Sequence, residues 1–265
     1  MLSKIATNTN LIAFSRDGRI DMTQSIPLLA KGGFDTLDLN FCEMMNSASP
    51  LNDERAKEYI NKLKELKKEY KLNYFQCHLP YPRDGKESDE SDRAILKAIG
   101  YATELEIPVA VIHPIKGSVS DNVSYLRKFL SKSDDITLAV ENMESEEEIH
   151  SATDLLSLTS ALDRTGICLD VGHANILALD IPSFIKSAGV KLIATHIADN
   201  NGISDLHLLP GMGNIDWENA MKAFKESYSG YINYEAMYFG RNLPSSFREE
   251  TIRLAKKIGT WLLTL

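Results

Sequence analysis

The sequence predicts an α/β protein folded as a single (β/α)8 barrel over residues 1–265, and three observations carry that prediction. Short apolar runs alternate with longer amphipathic stretches eight times along the chain. Spread over 265 residues, eight such pairs take about 33 residues each, the length of one strand-helix unit. Six consecutive apolar runs also finish on a histidine, an aspartate or a glutamate.

The elements follow in order. NLIAF supplies the first strand, and the SRDGRID after it lacks the glycine fingerprint that an open, dinucleotide-binding sheet would carry there. A helix over 23–32 stops at Gly32-Gly33, and DTLDLNF forms the second strand. Asp53 opens a helix over 53–70, followed by the strand LNYFQCHL. Helix 91–105 precedes the strand VAVIHP. Asp121 opens helix 121–131 before the strand ITLAVENM. Helix 151–162 leads to GICLDVGH, and Ile181-Pro182 opens helix 181–188, which ends at Gly189. KLIATHI, helix 217–227 with Gly230 beyond it, YINYEAM and helix 245–265 complete the set. Most runs are four to eight residues long and rich in branched and aromatic side chains, as strands buried on both faces should be. No Pro/Gly/Ser-rich linker divides the chain.

Composition limits the function. Hydrophobic residues make up 43% and charged residues 25%, the balance of a globular protein with a sizeable core. No apolar run approaches the ~20 residues of a membrane span, and the start MLSKIATNTNLIAF has no signal-peptide pattern. Cys42, Cys77 and Cys168 are odd in number and widely spaced, which fits a reducing cytoplasm. The expected location is cytoplasmic, with no membrane partner. A formal charge of −8 disfavours a nucleic-acid partner. The densest basic stretch, Arg55 to Lys71, holds seven Lys or Arg but interleaves Glu58, Glu65 and Glu69, so it reads as a solvated helix face. The acids from Glu144 to Glu148 read as a solvated loop or helix start, and His150 beside them as uninvolved.

Chemistry in such a barrel sits at the carboxyl ends of the strands. The runs finish on His78, His113, Glu141, Asp170, His196 and Glu235, at separations of 35, 28, 29, 26 and 39 residues. Each is costly to bury unpaired, and packing gives no reason for six in succession. Carboxylates brought together repel unless a cation or proton neutralises them, so the pattern points to a divalent metal site. Glu141, Asp170, His196 and Glu235 form a set of three carboxylates and one imidazole. It suits Mn²⁺, Zn²⁺, Mg²⁺ or Co²⁺, with Mn²⁺ and Zn²⁺ foremost. His173, Asp205 and His207 are further candidates. The glycines of SDLHLLPGMGNIDW serve either to bring backbone close to a ligand or to make a surface turn before the Asp216-Trp217 helix start. Phe14, Phe41 and Trp217 are candidate pocket walls, though each reads more readily as ordinary core or rim packing. No P-loop or Rossmann fingerprint is present, so no nucleotide cofactor is implied.

These motifs resemble the xylose isomerase-like TIM-barrel superfamily, which includes sugar phosphate isomerases/epimerases and endonuclease IV-type apurinic nucleases. The resemblance covers nearly the whole chain and is most specific in GICLDVGHAN, in HIADNNGISDLHLLPGMGNIDW and in the glutamate of NYEAM. It implies that Glu141, Asp170, His196 and Glu235 are metal ligands, as in the ketose epimerase and isomerase branch, and that His173 contacts substrate. In the nuclease branch, three zinc ions would take His78, His113 and Glu141, then Glu141, Asp170, His196 and Glu235, then His173, Asp205 and His207. All nine residue types are present, but LPYPRD follows His78 where that branch has a Tyr-Leu-Ile-Asn-like stretch. Its Asp-Thr-Cys-His is also replaced by Asp170-Val171-Gly172-His173.

The favoured expectation is a metal-dependent isomerase/epimerase of carbohydrate metabolism. It acts on a small-molecule sugar or sugar phosphate by removing a proton next to a carbonyl, through a metal-stabilised enediolate. Glu141 and Glu235 are the expected acid and base, with His78, His113 and His173 contacting the substrate. The alternative is a trinuclear-zinc phosphodiesterase acting on abasic-site DNA. The resemblance also implies a homo-oligomer by family habit.

Overall fold

The computed structural model describes residues 5–132 and 134–265. Eight parallel strands form the barrel: β1 (Ile5–Asn8), β2 (Thr36–Asn40), β3 (Asn73–His78), β4 (Val109–Ile112), β5 (Thr137–Glu141), β6 (Thr165–Asp170), β7 (Leu192–His196) and β8 (Ile232–Tyr234). Each pairs with its sequence neighbour from β1 to β7, and β1 pairs with β8 through Ile5↔Ile232, Ala6↔Asn233 and Thr7↔Tyr234. Closure between β7 and β8 rests on one parallel bridge, Ile197↔Tyr234. There the Ile197 N–H donates to Asn233 O at 2.8 Å, and Ile197 O accepts from Glu235 N–H at 3.1 Å.

The helices are α1 (Met22–Lys31), α2 (Ala56–Glu69), α3 (Asp89–Glu104), α4 (Val119–Leu130), α5 (Ala152–Ser160), α6 (Val171–Ile176), α7 (Ile181–Ala188), α8 (Trp217–Ser227) and α9 (Arg248–Thr264). Their apolar faces, such as Tyr59, Ile60, Leu63 and Leu66 of α2, are buried in the main core. Capping chemistry fixes several starts. Asp21 and Gln24 form a capping box on α1, and Ser118 with Asp121 does the same on α4. Asp121 is thus the third residue of its helix rather than the cap. Asp53 does not cap α2 either, because its carboxylate is taken by the Arg55 guanidinium at 2.6 Å. Gly189 ends α7 with a φ of 50°, in the left-handed region.

The first strand differs from the expectation. It is Ile5–Asn8, and the NLIAF run after it folds as turns and enters a two-residue hairpin strand at Phe14–Ser15. Asn8 Oδ1 accepts the Asn10 N–H at 2.7 Å, and Asn8 O accepts the Leu11 N–H at 3.2 Å. This local side-chain bonding turns the chain before the apolar residues can extend. The run GICLDVGH also divides: its strand ends at Asp170, and Val171 begins the short helix α6. Among the described residues, no helix is long and apolar enough to cross a membrane. The three cysteines are unpaired.

Candidate metal centre

Six of the nine predicted residues stand at or just past strand ends, and His173 in α6 with Asp205 and His207 in the loop after β7 join them at the same mouth. His78, Glu141, Asp170 and His196 close β3, β5, β6 and β7. His113 and Glu235 lie one residue beyond β4 and β8. Ligand atoms of Glu141, Asp170, His196 and Glu235 all lie within 4.8 Å of one another, as do those of His78, Glu141 and His196. His196 Nδ1 is 2.9 Å from Glu141 Oε1 and 3.2 Å from Glu235 Oε2. On the other side of Glu141, Oε2 is 3.4 Å from His78 Nε2 and 3.2 Å from His113 Nε2. Those two nitrogens are 3.2 Å apart.

His173, Asp205 and His207 form an adjacent group. His207 Nε2 is 2.6 Å from Asp205 Oδ2, and His173 Nε2 lies 3.9 Å from the same oxygen and 3.1 Å from Glu144 Oε2. Glu144 therefore reaches the site, whereas the sequence placed it in a solvated loop. His207 Nδ1 meets Glu235 O at 2.7 Å, tying the β7 loop to the end of β8. His150 stays away, on the Glu148 carbonyl. Of the candidate walls, Phe14 lines the cavity, while Phe41 and Trp217 are buried in the core.

Several residues that sequence reasoning missed hold these side chains in place. Asn142 clamps β6: its Oδ1 accepts the Asp170 N–H at 2.7 Å, its Nδ2 donates to Asp170 O at 2.9 Å, and its carbonyl meets His173 Nδ1 at 2.8 Å. Asp199 organises the loop after β7, accepting from the N–H groups of Asn200, Gly211 and Ile215 and from Trp217 Nε1. A Cβ on Gly213 would overlap Asn200 O and Asp199 Oδ1, so this glycine serves the packing of the loop on itself. Asp38 and Gln76 lie buried in the barrel interior, and Cys42 Sγ meets His78 Nδ1 at 3.0 Å.

Electrostatics show what the cluster needs. Burial, together with the Glu141, Glu235 and Asp205 carboxylates, pushes Asp170 up to about 7. Burial resists charge on His173, yet Asp170, Glu141, Glu144 and Asp205 outweigh it and raise the imidazole to about 10. Burial likewise opposes His207, which the Asp205 and Glu235 carboxylates raise to about 9. Glu141 is held well below the carboxylate range by His196 and His113, against its burial. Buried Glu141 Oε2 and Asp170 Oδ2 nevertheless have no hydrogen-bond donor. Three converging carboxylates, one imidazole and two orphaned oxygens fit a divalent cation of borderline hardness, and Glu141, Asp170, His196 and Glu235 would hold it.

The cavity above this cluster has a volume of about 570 Å³, within the range of small-molecule sites. Tyr81 and Tyr238 are among its walls. Tyr81 stacks on His113 with ring centroids 4.7 Å apart, and Tyr238 meets His207 edge-on at 5.2 Å.

Comparison with known proteins places the chain. An uncharacterized protein, MJ1311 of Methanocaldococcus jannaschii, is 28% identical over 240 residues, covering 81% of this chain and 78% of that protein. A D-tagatose 3-epimerase-like protein has a similar structure, with a TM-score of 0.75, 24% identity and coverage of 99% of this chain and 97% of that one. The IolI protein with a bound zinc atom is similar at a TM-score of 0.75, 17% identity and coverage of 99% and 98%. D-psicose 3-epimerase in the presence of D-fructose is similar at a TM-score of 0.75, 14% identity and coverage of 98% and 99%. These likenesses establish the shared barrel. The sequence profile of the xylose isomerase-like TIM barrel matches residues 26–262, nearly the whole chain, and the protein belongs to that family.

Proposed function

We propose that this protein is a divalent-metal-dependent sugar isomerase or epimerase that moves a proton on a carbon next to a carbonyl. The observation that carries the reading is the convergence of Glu141, Asp170, His196 and Glu235 beneath a cavity of small-molecule size. A divalent ion held by these four supplies Lewis acidity toward a carbonyl oxygen. Glu141 and Glu235 are the carboxylates we assign to proton removal and return. Both flank His196 Nδ1, and both line the cavity. His173, whose Nδ1–H is fixed on the Asn142 carbonyl, presents Nε2 to substrate oxygens and donates from it when the ring is protonated. His78 and His113 contribute ring nitrogens to the same floor. The structurally similar D-tagatose 3-epimerase-like protein and D-psicose 3-epimerase agree with this chemistry.

Charge around the mouth supports an uncharged sugar. Glu43, Asp84, Glu144, Glu148 and Asp205 line the cavity, and its rim offers the cations Arg19 and Lys116 besides the histidines of the floor. Arg19 lies 3.6 Å from Glu43, and Lys116 3.5 Å from Glu147. The loop after β7, where barrels of this architecture often grip phosphate, spends many of its N–H groups internally. Those of Asn200, Gly211 and Ile215 go to Asp199, and those of Ile203 and Ser204 to Asn201 Oδ1. The same acidic rim disfavours the sugar-phosphate backbone of DNA and so argues against the nuclease alternative.

The test is solvent exchange in D₂O, followed by NMR, with the Mn²⁺-supplemented protein. Free ketoses, ketose phosphates and an abasic-site duplex are offered in parallel. Deuterium entering a free ketose beside its carbonyl, and lost in Glu141→Gln, is the expected result. Strand cleavage of the duplex without ketose exchange would overturn the reading.

A further inference from the structure

The inner wall of the barrel carries an acidic residue with no Lys or Arg partner among the described residues: Asp38, fully buried near the middle of β2. A carboxylate there is expensive unless it does something the fold needs. Its Oδ2 accepts from Gln76 Nε2 at 3.0 Å and from Asn233 Nδ2 at 2.9 Å, two amides that are themselves fully buried. Asp38 faces Gln76 across the β2–β3 pairing, so the register of the sheet presets this contact. Held from two sides, Oδ2 lies 3.6 Å from His196 Nε2. The His196 ring therefore lies between two acidic environments, with Nδ1 toward Glu141 and Glu235 and Nε2 toward Asp38.

We infer that Asp38 is a positioning residue, which keeps the His196 ring hydrogen on Nε2 and leaves the Nδ1 lone pair for the metal. A ring nitrogen can ligate only where it carries no hydrogen, and the partner of the opposite nitrogen decides which one that is. Carboxylates behind a ligating imidazole also raise its basicity, and their loss typically weakens metal binding about 10–100-fold. The 3.6 Å separation is beyond direct hydrogen-bond range, so in this arrangement the influence is chiefly electrostatic. Gln76 and Asn233 keep Asp38 from turning away. The inference rests on the four-ligand reading of the site but not on the identity of the substrate.

The test is Co²⁺ affinity, measured by visible absorbance in competition with a chelator, on the full-length wild type, Asp38→Asn and Asp38→Ala. The asparagine keeps an acceptor but loses the charge, and should weaken binding about tenfold; the alanine loses both, and should approach about 100-fold. Nitrogen-15 NMR of the Zn²⁺-loaded wild type should show the His196 hydrogen on Nε2. A purely structural Asp38 would lower the melting temperature of the metal-free variants and leave Co²⁺ affinity unchanged, which overturns the inference. Should the alanine variant fail to fold, the asparagine variant decides alone. Wild type that binds no Co²⁺ would overturn both the inference and the metal reading. Wild type that binds Co²⁺, with weakened variants but no sugar exchange, would overturn the proposed reaction and leave the role of Asp38 standing.

Discussion

Replacing Asp170 by asparagine should make the metal-free protein more stable while abolishing its stabilisation by metal. Asp170 is fully buried, and burial with three neighbouring carboxylates lifts it to about 7 from an ordinary 3.8. A folded-state value above the unfolded one means that stability falls as pH rises from about 4, with the full loss reached above about pH 7. At pH 8 the ionised carboxylate therefore costs the metal-free fold at most about 4 kcal/mol. An asparagine of the same shape removes that cost and can still accept the His173 N–H that Asp170 Oδ1 receives at 2.7 Å. For a chain of this size the gain corresponds to a rise in melting temperature on the order of 10 °C. The assay is thermal unfolding at pH 8 of wild type and Asp170→Asn, each in EDTA and in excess Mn²⁺. The variant should melt higher in EDTA, and only the wild type should gain from Mn²⁺. A variant that melts lower in EDTA, or gains as much from Mn²⁺, would refute the view that these carboxylates are assembled at a cost for a cation.

Other outcomes follow from the same geometry. Glu141→Gln should lower the ketose exchange rate about 10²–10⁴-fold, as loss of a proton-transfer group does, measured by NMR at saturating substrate. Metal-free protein should be most stable at mildly acid pH. Asp170, His173 and His207 are all raised, the latter two to about 10 and about 9, so their contributions fade as pH rises, whereas that of the lowered Glu141 fades only on acidification. A melting temperature in EDTA that climbed from pH 6 to pH 9 would contradict this. Gly213→Ala should cost about 1–3 kcal/mol in urea denaturation, because its Cβ would collide with the Asn200 carbonyl and the Asp199 carboxylate. An unchanged urea midpoint would show that the loop yields freely.

The barrel and the residues gathered at its mouth were legible because both are written locally. Strand ends repeat at the spacing of one βα unit, and residues such as Glu141 and Asp170 interrupt apolar runs where solvation cannot explain them. The helix starts were legible in residue type but not in position, since Asp121 looks like a cap until Ser118 is seen to share the box. NLIAF misled because its apolar content outweighs, on inspection, the two asparagines whose side-chain and backbone bonds turn the chain. The supporting residues were illegible for a different reason. Asn142, Asp199 and Asp38 act through partners 28, 12 to 18 and 38 to 195 positions away, contacts that no local pattern encodes. Asp38 did leave one trace, an acid inside the apolar run DTLDLNF.

The central claim is that four side chains at the barrel mouth hold one functional divalent ion for sugar chemistry. Metal content per chain tests it most directly, by elemental mass spectrometry on protein purified without chelator or an added affinity-tag metal. The account predicts close to one ion of Mn, Zn, Co or Mg per chain. Close to three zinc ions, or none even after reconstitution, would contradict it.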